Sequence, residues 1–230
     1  MAQERAKMPV VNVTVDRLKR LVPGVKLNKA LDMLPFVALD IEGVDNNVIR
    51  VEYNPNRPDF SSDYGIARAL RGLLGIETSI PRFKIAGKSG RAVKVDPAVK
   101  RVRPFIVALV ARNGKLDDET IKQLIAMQED LHNGIGRRRK KASIGIHNLD
   151  AINFPITYKA AGSNYAFEPL GGSAEQSIEQ ILKETETGRQ YGHILAGSSR
   201  YPVIVDSAGT TLSFPPIING NATKVDEKCR

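Results

Sequence analysis

Short β-rich runs and segments of helical periodicity alternate along the whole of this 230-residue sequence. Residues 14–24 and 59–75 carry apolar side chains at helical spacing, and each segment stops at a glycine. Between them, residues 35–55 contain two β-rich runs around Asp45, Asn46 and Asn47, which is typical of a hairpin. This interleaving predicts an α+β fold with a mixed α/β pattern.

Composition along the chain divides it into three parts. Residues 1–80 would form a small N-terminal α+β domain. Residues 81–103 are rich in Gly, Lys and Pro, notably from Gly87 to Gly90, and predict a linker with a short strand. Residues 104–230 would form a larger mixed-sheet domain.

The second half carries its own helix and strand signals. The run FIVALVA, residues 105–111, is the strongest buried-strand signal in the chain, because it is short, continuous and β-branched. A helix is expected over 116–134, a strand over 143–146, and a helix after a capping box at 173–176. Residues 201–214 predict a final hairpin.

Bulk composition narrows the class of protein. No apolar run approaches the roughly 20 residues of a membrane span, and the N-terminus lacks the apolar core of a signal peptide, so we expect no membrane association. A single cysteine, Cys229, cannot form an internal disulfide, which favours a reducing cytoplasm. The net charge of +9 indicates a polyanionic partner, most simply a nucleic acid.

Common catalytic signatures are absent from the sequence. There is no GxxxxGK[ST] loop, no GxGxxG and no G-x-S-x-G elbow. Three widely spaced histidines and one cysteine do not form a zinc pattern, so we expect no metal site and no cofactor bound by this chain.

Five consecutive cations, Arg137, Arg138, Arg139, Lys140 and Lys141, stand between a predicted helix and a predicted strand. They could contact a phosphate backbone, where each neutralised phosphate releases counterions. They could equally form a solvated loop or pair with acids of the chain itself.

Two further stretches carry polar groups that chemistry could use. His147 and Asn148 follow the predicted strand 143–146, where a histidine can position a water or a hydroxyl, although it more often satisfies a nearby carbonyl. Ser213 precedes a double proline, which cannot sit in a central strand and would form a rigid wall. That stretch could hold a carbonyl or carboxylate, or merely turn a corner.

Taken together, several stretches resemble the β subunit of phenylalanyl-tRNA synthetase of the archaeal and eukaryotic type. They are NRPDFSSDYGIARALRGLLGI, RPFIVALVAR, MQEDLHNGIGRRRKKASIGIHNLD and YPVIVDSAGTTLSFPPIING, and the resemblance runs from about Pro9 to the last residue. IGIHNLD and LSFPPIING are the specific parts.

The resemblance implies an aminoacyl-tRNA synthetase, a ligase of protein biosynthesis that works as an (αβ)2 tetramer. Its β subunit pairs with a catalytic α subunit, and the tetramer charges tRNA-Phe using ATP and Mg²⁺. The N-terminal half of β carries a small first domain and then a B3/B4 domain, which hydrolyses mischarged Tyr-tRNA-Phe. For residues 104–230 this implies a B3/B4-type editing domain that is truncated at its C-terminal end.

The resemblance also implies a set of editing-pocket residues. Ser213 falls on the pocket serine and Ile204 on an aliphatic position of the preceding strand. The whole set is Ile204, Ser213, Phe214, Pro215, Pro216, Asn219, Gly220, His147 and Asn148. Asn148 stands where the family usually has Asp. The family's next strand, which reads like IFIDVTGT and completes the pocket, is not in this sequence.

Three hypotheses compete. The chain could supply tRNA editing, or it could be an assembly and tRNA-binding module of the synthetase without chemistry, or a general basic nucleic-acid binder. The third is disfavoured because aromatic residues make up only 6% of the chain, with no tryptophan, which leaves no stacking platform.

Overall fold

The computed structural model describes residues 8–80, 82, 84–112, 114 and 116–229. These residues form two compact units. The first contains the described residues up to 84 together with 122–135, and the second contains 85–121 and 136 onward. Most of helix α4 (Asp118–Asn133) belongs to the first unit. The division of the chain into domains at residues 80 and 103 stays a prediction.

The first unit is a three-stranded antiparallel sheet with helices. Strands β1 (Val10–Thr14), β2 (Asp40–Asp45) and β3 (Val48–Glu52) lie in the order β1-β3-β2. Helices α1 (Val15–Leu21), α2 (Leu27–Met33) and α3 (Asp63–Leu73) accompany them, with short 3-10 turns at Leu34–Val37 and Pro58–Phe60. The predicted hairpin is confirmed as β2–β3.

Local signals explain the helix starts in this unit. The Thr14 hydroxyl accepts from the Arg17 amide and the Ser62 hydroxyl from the Gly65 amide, so both N-termini are capped. Apolar side chains from all three strands and from α1 to α3 fill one core. Its largest fully buried members are Phe60, Leu18, Leu34, Leu39, Ile49, Ile66 and Leu70.

The second unit is built on a five-stranded sheet in the order β10-β9-β8-β5-β4. Its strands are β4 (Val93–Val95), β5 (Ile156–Ala161), β8 (Tyr201–Val205), β9 (Thr211–Phe214) and β10 (Ile218–Asn219). Strand β4 runs parallel to β5, and the other neighbours are antiparallel. A two-stranded ladder pairs β6 (Ala166–Phe167) with β7 (Gln176–Ser177).

The remaining elements of this unit are short. Helices α5 (Ile178–Glu184) and α6 (Glu186–Tyr191) follow β7, and 3-10 turns lie at Pro97–Arg101, Leu149–Ala151, Gly192–Leu195 and Asn221–Thr223. Ile178, Ile181, Val203, Phe214 and Ile217 are fully buried in its core. The predicted α+β fold class is therefore confirmed.

The final hairpin was predicted correctly, and Asp206 explains its turn. The Asp206 carboxylate accepts from the backbone amides of Asn153, Ala208 and Thr210 and from the Asn153 side chain, at 2.8–3.1 Å. Burial alone would raise the pKa of Asp206, but these hydrogen bonds outweigh it and hold the pKa below its ordinary value.

Three sequence predictions in the second unit were wrong. Residues 105–111 form no strand, and the side chains of Phe105, Val107 and Leu109 are 89%, 97% and 88% exposed. Residues 143–146 are not a strand either. The capping box lies at Ser177 and Gln180 instead of 173–176.

None of the helices in the described ranges is long and apolar enough to cross a membrane. Within those same ranges, no group of three or more His, Cys, Asp or Glu side chains could hold a metal ion.

Candidate functional site

Three of the sequence-predicted residues form one row across the second sheet. Ile204 on β8 pairs with Ser213 on β9, and Ser213 pairs with Asn219 on β10. Residues paired across neighbouring strands point to the same face, so the three side chains share a face of the sheet. We call Ile204, Ser213 and Asn219 the polar row.

Ser213 and Asn219 interact directly. The Ser213 hydroxyl donates to Oδ1 of Asn219 at 3.0 Å and lies 3.4 Å from the carbonyl of Ile218. Ser213 is only 6% exposed, so this hydroxyl is desolvated and held by its partner. With Oδ1 engaged, the amide Nδ2 of Asn219 remains a donor for a further group.

The double proline shapes the loop that joins β9 to β10. The Pro215–Pro216 peptide is cis, and the Ile217 amide donates to the Phe214 carbonyl at 2.8 Å, which closes a tight turn. Phe214 points away from Ser213 into the core, where its ring meets Tyr201 edge-on at 6.0 Å. Phe214 therefore supports the row from behind and does not share its face.

Gly220, which directly follows Asn219 of the polar row, has no room for a side chain. Its amide donates to the Leu212 carbonyl at 2.7 Å, and a β-carbon at this position would lie 2.1 Å from the Thr211 carbonyl oxygen. No side chain fits there, which explains the glycine after Asn219.

His147 lies beside the row. Its Nδ1 is 2.8 Å from the hydroxyl of buried Thr223, and the Asn148 amide donates to the Thr223 carbonyl at 3.0 Å. A β-carbon on Gly145 would lie 2.8 Å from Nε2 of His147 and 3.1 Å from Oδ1 of Asn219. Both side chains therefore surround the same small space beside the Gly145 backbone.

Burial controls the charge of His147. Desolvation lowers the pKa of His147 from its ordinary 6.5 to about 4, so the imidazole is neutral at pH 7. Ser213, Asn219, Thr223 and His147 then present uncharged hydrogen-bonding groups. Such a set suits recognition of a hydroxyl or a carbonyl rather than of an ion.

Asn148 caps a neighbouring turn. Its side chain accepts from the Asp150 amide at 3.0 Å and caps the 3-10 turn at Leu149–Ala151. An aspartate, which the family pattern has here, could cap the same turn.

The five-cation run forms a left-handed turn. Arg137, Arg138 and Arg139 have φ of 50°, 52° and 62°, and the Lys141 amide donates to the Gly136 carbonyl at 2.8 Å. We call residues 137–141 the basic turn. Arg137, Arg138, Lys140 and Lys141 are exposed, and within the described ranges none of them makes an ion pair with a carboxylate.

Arg139 differs from its four neighbours because it points inward. One guanidinium nitrogen donates to the carbonyls of Pro216 at 3.2 Å and Ile217 at 3.0 Å, and the guanidinium lies 4.2 Å from the Tyr191 ring centre. Left-handed conformation costs a non-glycine residue about 1–2 kcal/mol. For the three residues this is about 3–6 kcal/mol in total. Hydrogen bonds from charged groups contribute about 1.5–3 kcal/mol each, so the two that Arg139 donates are comparable with this cost.

A second arginine fixes the basic turn from the other side. Arg103 donates to the carbonyls of Arg139 at 3.0 Å and Lys140 at 3.3 Å, and its own carbonyl accepts from the hydroxyl of Tyr158 on β5 at 2.8 Å. The basic turn is therefore attached both to the sheet and to the double-proline loop.

This chain aligns over nearly its whole length with phenylalanine–tRNA ligase beta subunits. It is 44% identical over 221 residues to the phenylalanine–tRNA ligase beta subunit of Archaeoglobus fulgidus and 40% identical over 220 residues to that of Methanocorpusculum labreanum; each alignment covers 96% of this chain and 40% of the relative. Its relatives are beta subunits of phenylalanine–tRNA ligase. The chain thus spans about two fifths of the length of the curated relatives it matches. No family model matches it.

A solved structure shares the fold. The crystal structure of an N-terminal fragment of the phenylalanyl-tRNA synthetase beta subunit from Pyrococcus horikoshii matches with a TM-score of 0.86 and 34% identity. The match covers 96% of this chain and 66% of that one. The resemblance to the phenylalanyl-tRNA synthetase β subunit therefore holds over nearly the whole chain.

The structure separates the residues that this resemblance singled out. Ile204, Ser213, Asn219 and His147 come together, and Pro215, Pro216 and Gly220 shape the loop beside them. Phe214 and Asn148 have supporting roles. Of the five cations that the charge pattern singled out, Arg139 points inward, unlike its four neighbours.

Sequence reasoning missed four residues: Gly145, Thr223, Arg103 and Tyr191. Gly145 lies in the stretch ASIGIHNLD, and a glycine there can indicate that other side chains approach the backbone closely. The other three carried no local signal.

Proposed function

We propose that this chain acts as the N-terminal part of a phenylalanine–tRNA ligase β subunit, in a complex with the α subunit and tRNA-Phe. The support is 37–44% identity over 96% of the chain to curated beta subunits, together with the fold shared with a solved N-terminal fragment. In this proposal the complete ligase uses ATP and Mg²⁺ in the cytoplasm, and this chain holds neither.

We further propose that the polar row and His147 form the editing site of a B3/B4 domain. The observation that carries this proposal is the convergence of Ile204, Ser213, Asn219 and His147 from three separate stretches of sequence. A site that hydrogen-bonds a substrate hydroxyl rejects the analogue that lacks it by about 10⁴–10⁵, which is the discrimination needed between tyrosine and phenylalanine.

The chemistry proposed is hydrolysis of the ester in Tyr-tRNA-Phe. The Ser213 hydroxyl is already bonded to Asn219, and no base among the described residues lies against it, so we do not assign it a nucleophilic role. The neutral imidazole of His147 and the amide nitrogen of Asn219 are placed to orient a water or the ester carbonyl. Positioning of an attacking water is therefore the role we assign to these groups.

The basic turn is proposed as the tRNA-binding surface, through its four outward cations. Replacing Arg137, Arg138, Lys140 and Lys141 by neutral residues should flatten the salt dependence of tRNA binding, by roughly 0.9 in the log–log slope for each duplex phosphate that is no longer neutralised.

A second candidate is an assembly module without chemistry. The three highly exposed apolar side chains Phe105, Val107 and Leu109 favour it, because such a run is typical of a surface that another segment covers.

Deacylation assays decide between the editing site and the assembly module. Purified chain is incubated with Tyr-tRNA-Phe and Phe-tRNA-Phe, alongside a version extended through the family's next strand. We expect faster loss of tyrosine, slowed by Ser213→Ala because Asn219 loses its partner, and unchanged by Ser199→Ala, an exposed serine of the same unit. Tyrosine release at the spontaneous rate by both chains would reject editing and leave the assembly role.

A further inference from the structure

Arg139, the inward arginine of the basic turn, connects the basic turn to the loop of the polar row. The guanidinium of Arg139 donates to two successive carbonyls, Pro216 and Ile217, in the loop between Ser213 and Asn219. We propose that Arg139 is a positioning residue that couples nucleic-acid binding at the basic turn to the geometry of the polar row. This inference rests on the proposed function, since the coupled ligand is tRNA.

The loop depends on Arg139 for its position. Within the loop, the Ile217 amide bonds to the Phe214 carbonyl and the Gly220 amide bonds to the Leu212 carbonyl, which fixes its two ends. The carbonyls of Pro216 and Ile217, at the centre, accept from Arg139. Displacement of this guanidinium therefore frees the segment that connects the strands of Ser213 and Asn219.

The geometry of the basic turn couples its four outward cations to Arg139. Arg137 and Arg138 directly precede Arg139, Lys140 and Lys141 follow it, and all four of these side chains are exposed. Three consecutive left-handed residues leave the turn few alternative conformations that keep Arg139 inward. Phosphates bound to the outward cations would thus shift the backbone that carries Arg139, while Arg103 and Tyr191 limit that shift.

Arg139→Lys tests the positioning role in the free protein. Lysine keeps the charge but loses the planar donor group and its stacking on Tyr191. Arg189→Lys is the matched control, because Arg189 also donates to backbone carbonyls, those of Glu184 and Lys183, in the same unit. Hydrogen exchange is measured at the Ile217 and Gly220 amides and, for reference, in β5 and β8.

We expect exchange at Ile217 and Gly220 to become about tenfold faster in Arg139→Lys, with β5 and β8 unchanged, because the loop opens locally. Arg189→Lys should leave both amides as in the wild type. Unchanged exchange at Ile217 and Gly220, or an equal increase throughout β5 and β8, would overturn the positioning role.

The coupling is tested with a tRNA-Phe transcript. In the wild type, saturating tRNA should alter exchange at Ile217 and Gly220; in Arg139→Lys, tRNA should bind within about threefold of wild-type affinity without altering these amides. A response that persists in Arg139→Lys overturns the coupling. Failure of the wild type to bind tRNA overturns the proposed function and the coupling with it, while the free-protein measurement still decides the positioning role.

Discussion

Protonation of His147 should destabilise the second unit. The pKa of this imidazole is lowered by burial from 6.5 to about 4 in the folded protein, whereas the unfolded chain titrates near 6.5. Between these values the unfolded state binds more protons, so stability rises with pH from about 4 to about 6.5 and is constant above. The full effect is about 3 kcal/mol, at roughly 1.4 kcal/mol for each tenfold change in the protonation constant.

The assay is urea unfolding at pH 7.5 and pH 4.5 for the wild type and for His147→Gln. Over this interval the His147 contribution should fall by about 2.5 kcal/mol in the wild type and be absent in the variant. Subtracting the two pH profiles removes the contributions of all titratable groups that both proteins share. An NMR titration of the His147 ring gives the folded pKa directly.

Two results would refute this reasoning. One is a His147 resonance that titrates near 6.5, which would mean that the ring is hydrated in the folded protein. The other is an identical pH dependence for the wild type and His147→Gln.

The other predictions concern stability. Asp206→Asn should lower the free energy of unfolding by about 3 kcal/mol in urea titrations, because an amide cannot accept all four hydrogen bonds that the carboxylate receives. Gly220→Ala should lower the melting temperature of the second unit, with a loss above about 3 kcal/mol, since its β-carbon meets the Thr211 carbonyl at 2.1 Å. Val107→Thr should change the free energy of unfolding by less than about 0.5 kcal/mol in the same titrations, because this side chain is 97% exposed; a larger decrease would show that it is buried.

Elements with a local cause were predictable from sequence. The helical segments predicted over 14–24 and 59–75 contain α1 and α3, and their caps Thr14 and Ser62 are local, because a cap needs only a hydroxyl and the next three residues. The β8–β9 hairpin was equally local, since two β-rich runs flank a short turn around Gly209.

The capping box shows where local information is ambiguous. The sequence SAEQSIEQ contains the S-x-x-Q pattern twice, at Ser173 and at Ser177. The second copy caps the helix because Ile178 and Ile181 then fall on its buried side and are fully enclosed. Core packing chooses between two equivalent caps, and a pattern of four residues cannot reveal that choice.

The run at 105–111 shows the limit of apolarity as a signal. Its residues favour a strand, but a strand requires a neighbour to accept its hydrogen bonds, and none of the described residues supplies one for this run. The inference from β-branched content to burial therefore failed at the step that needs a partner.

The site itself divides in the same way. Ser213, Asn219 and Ile204 could be named from a resemblance, and strand register then brought them into one row.

Arg139 could not be separated from its four neighbours, because all five are cations in one uninterrupted run. What distinguishes Arg139 is the left-handed backbone of residues 137–139 together with the carbonyls of a double-proline loop 77 and 78 positions away. A loop that lacks two amide donors leaves its carbonyls in need of an external donor, and a guanidinium can serve two of them at once. The charge of the basic turn is thus a property of the sequence. The difference between the inward Arg139 and its four outward neighbours arises only when the fold brings the two loops together.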